Sequence, residues 1–221
     1  NYVSSKTHDI GVSLTIGTRV YMEDVVTIQG GDDSDIFAVF DGHNGQDAAV
    51  IADSQLPLIG REFFEKEDYN GLFNTLHAKV IEKTESGTTA TIAYVTKERI
   101  TVLQCGDSAA FVLENRKLRK ITKDHNTSSI EEAANIKKNG GTLEFTSGMT
   151  RVNGKICVTR SLGDRSLHPP LSCTPDIIQV DPSKVSYLVI MSDGIASVLQ
   201  VEEMEAVLNS EMTVEEKSAT L

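Results

Sequence analysis

The stretch FAVFDGHNG, residues 37 to 45, runs four apolar residues into Asp41, Gly42, His43, Asn44 and Gly45 with no spacer. A carboxylate and an imidazole two residues apart, where a buried strand gives out, are groups that hold a metal ion or move a proton. The glycine beside them lets the backbone turn sharply, approach a ligand and offer a carbonyl oxygen. The pattern recurs: TVLQCG runs into Asp107, YLVIMS runs into Asp193, and Glu23 and Asp24 open the strand-like DVVTI. Small neighbours accompany three of these acids, as Asp41-Gly42, Gly106-Asp107-Ser108 and Asp193-Gly194. One Asp-Gly after a strand is ordinarily a turn, and one histidine is ordinarily a surface or satisfied side chain. Turn chemistry does not require the same arrangement at three distant places. Two carboxylates about 4 Å apart repel by roughly 4 kcal/mol at an effective dielectric near 20, so a cluster of them demands a counter-charge. Hard oxygen donors without matching thiolates or paired histidines select Mg²⁺ or Mn²⁺ over zinc or copper.

Strand ends converge only if the strands share a sheet or sandwich. Runs rich in β-branched and aromatic residues are frequent: GVSLTIG (11–17), DVVTIQG, IFAVF, TTATIAYVT, RITVLQC, AAFVLEN, KICVTR (155–160), DIIQV and SYLVIM. That makes about nine strands, and short polar turns such as TKER and ENRK favour antiparallel pairing. Helical spacing appears in residues 46–59 and again in residues 70–84, where Leu72, Phe73, Leu76 and Val80 line one face. A third helix is expected in SSIEEAANIKKNGG, with Ser128 and Glu131 at capping-box spacing and Gly140 as its stop, and a fourth in VEEMEAVLNS. Many strands with a few segregated helices predict an α+β fold, a layered sandwich in one domain spanning residues 1–221.

Composition excludes other readings. The net charge of −11 is spread along the 221 residues, and no basic stripe with interleaved aromatics marks a nucleic-acid surface. Cys105, Cys157 and Cys173 are odd in number and lack metal or disulfide spacing, which suits buried thiols in a reducing compartment. No apolar run approaches the roughly 20 residues needed to cross a bilayer, and no leader pattern opens the chain. The expectation is an intracellular protein, cytoplasmic or nuclear, whose two ends look cut from something longer.

Eight stretches in order carry a resemblance: RVYMED (19–24), FAVFDGHNG, SGTTAT (86–91), CGDSAA (105–110), ITKDHN (121–126), NGGTL (139–143), RVNGKICVTRSLGD (151–164) and LVIMSDGI (188–195). Together they resemble the metal-dependent serine/threonine protein phosphatases of the PP2C type, from about residue 10 to about residue 210. The resemblance implies a four-layer αββα fold, a central antiparallel β-sandwich flanked by helix pairs. It implies two Mn²⁺ or Mg²⁺ ions, with a third in some members. Asp41 would bridge two of them, with the Gly42 carbonyl as a further ligand, Glu23 on one ion and Asp193 on the other, and Asp107 with Asp193 would serve the third. Two cations acidify a shared water, which attacks phosphorus in line. Arg19 would grip the phosphoryl oxygens through its planar fork, and His43 would protonate the departing seryl or threonyl oxygen. Asp164 lies in the same polar region as a supporting group. Residues 126–141 correspond to the family's variable flap, and phosphoproteins would be the partners of a monomeric domain.

Three places depart from the family pattern. Asn44 stands where glycine is usual, and asparagine is the non-glycine residue that best tolerates left-handed angles. Ala109 replaces an arginine after GDS. The family's closing Gly-x-x-Asp-Asn segment, which gives a further aspartate to the metals, and the strand after it have no match beyond Asp193. The alternative to an active phosphatase is therefore a catalytically impaired relative that acts as a binding or scaffold module.

Overall fold

The computed structural model describes residues 8–221. The chain forms β1 (Asp24–Gln29), β2 (Ser34–His43), α1 (Asp47–Glu65), α2 (Tyr69–Ile81), β3 (Gly87–Thr88), β4 (Ala90–Thr96), β5 (Ile100–Cys105) and β6 (Ala109–Glu114). It continues through β7 (Lys117–Lys120), α3 (Ile130–Lys138), β8 (Leu143–Thr146), β9 (Met149–Val152), β10 (Leu162–Gly163) and β11 (Asp176–Val180). The last elements are β12 (Val185–Met191), α4 (Asp193–Ala196), α5 (Val201–Leu208) and α6 (Val214–Thr220).

All ladders between named strands are antiparallel. One sheet runs β10-β3-β2-β4-β5-β11, with β1 also paired to β2; a second runs β12-β6-β7; and β8 with β9 forms a separate hairpin. Period-two alternation divides the core. Ile36, Ala38 and Phe40 of β2 face α1 and α2, joined by Leu56, Leu72, Phe73 and Leu76. Phe37 points the other way, into the layer between the sheets with Ala93, Val102, Ala110, Ile178 and Ile190. On the outer face of the smaller sheet, Phe111, Leu113 and Leu118 meet Met204 and Leu208 of α5. The order helices, sheet, sheet, helices is the layered α+β sandwich expected from the strand and helix pattern. A further cluster of Ile136, Val152, Ile156, Leu167 and Leu171 packs α3 and the β9 region into a lobe of their own.

Four local expectations are corrected. Residues 11–17 form no strand: Leu14 and Ile16 are exposed, Gly17 has φ +55°, and the Arg19 amide closes a turn on the Ile16 carbonyl at 3.1 Å. Residues 155–160 make only isolated bridges, from Ile156 to Val152, Val158 to Asn126 and Arg160 to Ser172, so the segment is shared among three neighbours instead of joining one sheet. The first helix continues past Pro57 to Glu65, and the Pro57 carbonyl accepts a bond from the Gln29 side chain at 3.0 Å. The cap of α3 is Ser129, one residue after the expected Ser128, and its hydroxyl accepts from the Glu132 amide. Glu132 cannot complete a capping box because its carboxylate is engaged elsewhere. Gly140, with φ +84°, ends this helix as anticipated.

Candidate metal centre and active site

Strand β2 does not end before Asp41. It runs through His43 because both edges stay paired: Asp24 of β1 lies opposite Asp41, while Gly42 and His43 lie opposite Thr88 and Gly87 of β3. The pairing with β1 is what brings a second carboxylate to Asp41. Asp24 hydrogen-bonds the Asp41 side chain, and Oδ2 of Asp24 accepts from Ser192 Oγ at 2.7 Å. Ser192 is the N-cap of α4, so Asp193 arrives at the same place from the end of β12. Asp107 follows Gly106, whose φ of +107° turns the chain out of β5.

Burial pushes the Asp41 carboxyl up from 3.8 to about 8, and the charges of Asp24, Asp193 and Asp107 push in the same direction. Burial and Asp193 raise Asp107 to about 6, against hydrogen bonds from its own backbone and from Asn126. No basic side chain among the described residues forms an ion pair with Asp24, Asp41, Asp107 or Asp193. Asp24, Asp41 and Asp107, half-buried, and the exposed Asp193 therefore form an acidic basin with its counter-charge still to be supplied. Its donors are carboxylates and carbonyls, the set that suits a hard divalent cation. Among the described residues, no three carboxylates, imidazoles or thiolates close around a single point as a finished cage. The basin fits Mg²⁺ or Mn²⁺ by donor chemistry and charge, and its acids would need to draw together around an ion.

A polar frame supports the basin. The Asp41 amide donates to Thr89 Oγ1 at 3.2 Å, the Thr89 amide returns a bond to the Asp41 carbonyl at 2.9 Å, and the Thr89 and Ser108 hydroxyls meet at 2.8 Å. Glu23 is close, but its Oε1 accepts from the Gly45 amide at 2.6 Å and its carbonyl accepts from the Gly42 amide at 3.2 Å. A side chain at Gly42 would lie 2.6 Å from that carbonyl, so only glycine lets the two strands approach there. Asn44 adopts φ +57°, the left-handed backbone that its residue type tolerates. Arg19 lies on an exposed loop, with no ion-pair partner among the described residues, between Ile16 and the exposed Val20 and Tyr21.

His43 Nε2 lies 2.7 Å from Asp164 Oδ2. Sequence reasoning counted Asp24 in the acidic pattern but gave it no role, its place beside Asp41 coming from the β1–β2 register, and it gave none to the hydroxyls of Ser192, Thr89 and Ser108, although all three lie in the matched stretches. It placed Asp164 nearby without its partner. Gly87, opposite His43, was part of the SGTTAT match but had no assigned role.

Beside the basin, α3 is fastened to the body by a buried ion network. Arg160 spans both oxygens of Glu132, with Nη2 at 2.6 Å from Oε1 and Nε at 3.1 Å from Oε2, and reaches Asp176 Oδ1 at 2.8 Å. Thr159 Oγ1 adds a 2.7 Å bond to Glu132. Burial alone would raise the Glu132 carboxyl; the Arg160 and Thr159 hydrogen bonds outweigh it and hold it below the usual range. Its contribution to stability is thus full at neutral pH and fades on acidification through that lowered value. Replacing Glu132 with alanine leaves Arg160 with one carboxylate in a buried setting and is expected to cost about 3 kcal/mol in denaturant unfolding.

No helix among the described residues is long and apolar enough to cross a membrane. The family model of protein phosphatase 2C matches residues 9–220. Protein phosphatase 1L of Bos taurus is 28% identical over 226 residues, an alignment covering 90% of this chain and 62% of that protein. The chain thus spans less than two thirds of that relative's length. The solved structure of a C. elegans sex determining protein is similar with a TM-score of 0.82 at 26% identity, over 91% of this chain and 56% of that one. A serine-threonine phosphatase 2C from Toxoplasma gondii shares the fold with a TM-score of 0.71 at 22% identity, over 87% of this chain and 79% of its own. With the layered antiparallel sheets and the acidic basin at their edge, these matches identify the chain as a member of the protein phosphatase 2C family.

Proposed function

We infer that this chain hydrolyses phosphoserine and phosphothreonine esters in proteins, with Mn²⁺ or Mg²⁺ as cofactor. The observation that carries this reading is the Asp41 basin: Asp24, Asp107 and Asp193 raise the proton affinity of Asp41, and no basic side chain among the described residues is paired to them, beside an imidazole held in place. Such a cluster costs the fold stability and is useful when a divalent cation discharges it. Glu23, Asp41, the Gly42 carbonyl, Asp107 and Asp193 would hold the metal, with Asp24 as a further oxygen donor that also ties Ser192 to the basin. When bound, Mn²⁺ or Mg²⁺ supplies positive charge to the phosphoryl oxygens and lowers the pKa of water.

The chain's own residues provide the rest. Arg19, exposed and without an ion-pair partner among the described residues, offers a planar fork to the phosphate, and the flexible reach of its side chain suits capture from solvent. His43 gives a proton to the departing seryl or threonyl oxygen, which as an alkoxide leaves poorly without one. The neighbouring Val20 and Tyr21, each 79% exposed, would contact substrate residues flanking the phosphate.

The test is phosphate release from a phosphothreonyl peptide with Mn²⁺, Mg²⁺ or EDTA. Turnover that requires either metal and falls at least about 10-fold in Arg19→Ala, mainly through KM, is the expected result. Absence of turnover with both metals would favour the impaired, phosphoprotein-binding alternative.

A further inference from the structure

The short strand β3 has no sequence signal of its own, yet it joins two parts of the chain that are far apart. Its Gly87 lies opposite His43 of β2 on one side and opposite Gly163 of β10 on the other. Asp164, the residue after β10, is thereby carried across β3 to the His43 ring. It holds a left-handed backbone, φ +48°, with its amide on the Ser86 carbonyl at 3.1 Å, and is 3% exposed. Gly87 leaves the space in which the pair meets: a Cβ there would lie 2.1 Å from Asp164 Oδ2 and 2.2 Å from His43 Nε2.

Hydrogen-bond inventory fixes the roles. A carboxylate only accepts, so the 2.7 Å contact requires the proton on His43 Nε2. Ser161 Oγ donates a second bond to the same Asp164 oxygen at 2.6 Å, and lies 3.2 Å from His168 Nε2. Burial, with His77 beside it, holds His168 down at about 4, so it is neutral near pH 7 and does not compete with His43 as a cationic partner. His77 in turn accepts from the Gly163 amide at 3.2 Å. The backbone bond to Ser86 and the Ser161 hydroxyl therefore hold the Asp164 carboxylate against one atom, the Nε2 of His43. The other ring nitrogen, Nδ1, is the one left to exchange a proton with a substrate.

We propose that Asp164, braced by Ser161, is a positioning residue that holds His43 through Nε2–H, so that the proton delivered to the leaving seryl or threonyl oxygen comes from Nδ1. This rests on the phosphatase reading and specifies its acid step. The bond from phosphorus to the substrate oxygen breaks; that oxygen takes its electron pair and the Nδ1 proton to become the serine or threonine hydroxyl. A water oxygen forms the new bond to phosphorus, one water proton stays with the phosphate and the other passes to solvent. His43 remains bonded to Asp164 through Nε2–H, and solvent restores the Nδ1 proton.

Two esters separate positioning from general damage. A phosphothreonyl peptide loses an alkoxide that needs the proton, whereas p-nitrophenyl phosphate loses a stable phenolate that does not. Asp164→Ala removes the one oxygen that both His43 Nε2–H and Ser161 Oγ–H meet, so the ring loses its tether. The expected result is a fall in kcat of about 100-fold on the phosphopeptide, less than about 3-fold on p-nitrophenyl phosphate, and unchanged KM. Ser161→Ala, which keeps the carboxylate, is expected to show the same selectivity with a loss of about 5-fold. In the double variant with His43→Ala, Asp164→Ala should add nothing to the loss from His43→Ala alone. Equal losses on both esters, no loss on either, or additive losses in the double variant would overturn the proposal while leaving the phosphatase reading in place. A wild-type chain that turns over neither ester overturns that reading and this one with it.

Discussion

Asp41→Asn is expected to abolish phosphate release and, in metal-free protein near pH 8, to raise stability by on the order of 3 kcal/mol. The two effects have one cause. Asp41 is mostly buried beside Asp24, Asp107 and Asp193, and its pKa is raised from 3.8 to about 8. A carboxyl whose folded pKa lies above its unfolded value stabilises the fold only while it can stay protonated. Between about pH 4 and pH 8 the unfolded chain has released that proton and the native chain retains it, so native stability falls as pH rises through this window. Asparagine keeps the shape and carries no charge, so the difference between variant and wild type should be largest near pH 8 and vanish below about pH 4. For a domain of this size the gain corresponds to a melting temperature higher by about 6–12 °C. Saturating Mn²⁺ should reverse the order, stabilising wild type and leaving the variant nearly unmoved. A variant that melts lower than wild type in EDTA at pH 8 would show that Asp41 is not a strained acid.

Gly87→Ala should be as damaging to turnover as loss of a charged residue, although glycine brings no functional group. The added methyl has nowhere to go, because the atoms it would strike are the two that form the His43–Asp164 bond. Either the ring and the carboxylate separate or β3 shifts away from β2, and each outcome removes the alignment of His43. We expect phosphothreonyl peptide turnover to fall by at least about 100-fold, with about 1–3 kcal/mol of destabilisation from overpacking. Retention of more than a third of wild-type turnover would show that the pair is not needed in the geometry observed.

The major strands were legible because they are long, β-branched and buried, as in Ile100–Cys105, where every residue is buried. The helix pair was legible from the spacing of Leu72, Phe73, Leu76 and Val80. Elements set by tertiary pairing were not. Gly87–Thr88 and Leu162–Gly163 are strands of two residues with no periodicity to read, and they exist because β2 extends far enough to pair with them. The same limit applied to the site. Asp41, His43, Asp107 and Asp193 announce themselves by following apolar runs. Asp24 joins them only through a register that places it opposite Asp41, and Asp164 meets His43 only across an intervening strand. Residues 11–17 misled because alternation there is not matched by burial: Leu14 is 50% exposed and no neighbouring strand accepts the segment. In the 155–160 segment, Arg160 is drawn into the buried pair with Glu132, an interaction invisible to local pattern.

The central claim is that the basin around Asp41 is built to be discharged by a divalent cation. Calorimetric titration of the metal-free chain with Mn²⁺, repeated at pH 7 and pH 9 in buffers of different ionisation enthalpy, counts the protons released as metal binds. The account predicts binding at both pH values, with close to one proton released at pH 7, where Asp41 with its pKa of about 8 is mostly protonated, and almost none at pH 9. Asp41→Asn should bind far more weakly and release no such proton. Failure of the wild-type chain to bind Mn²⁺, or binding with the same proton count at both pH values, would contradict it.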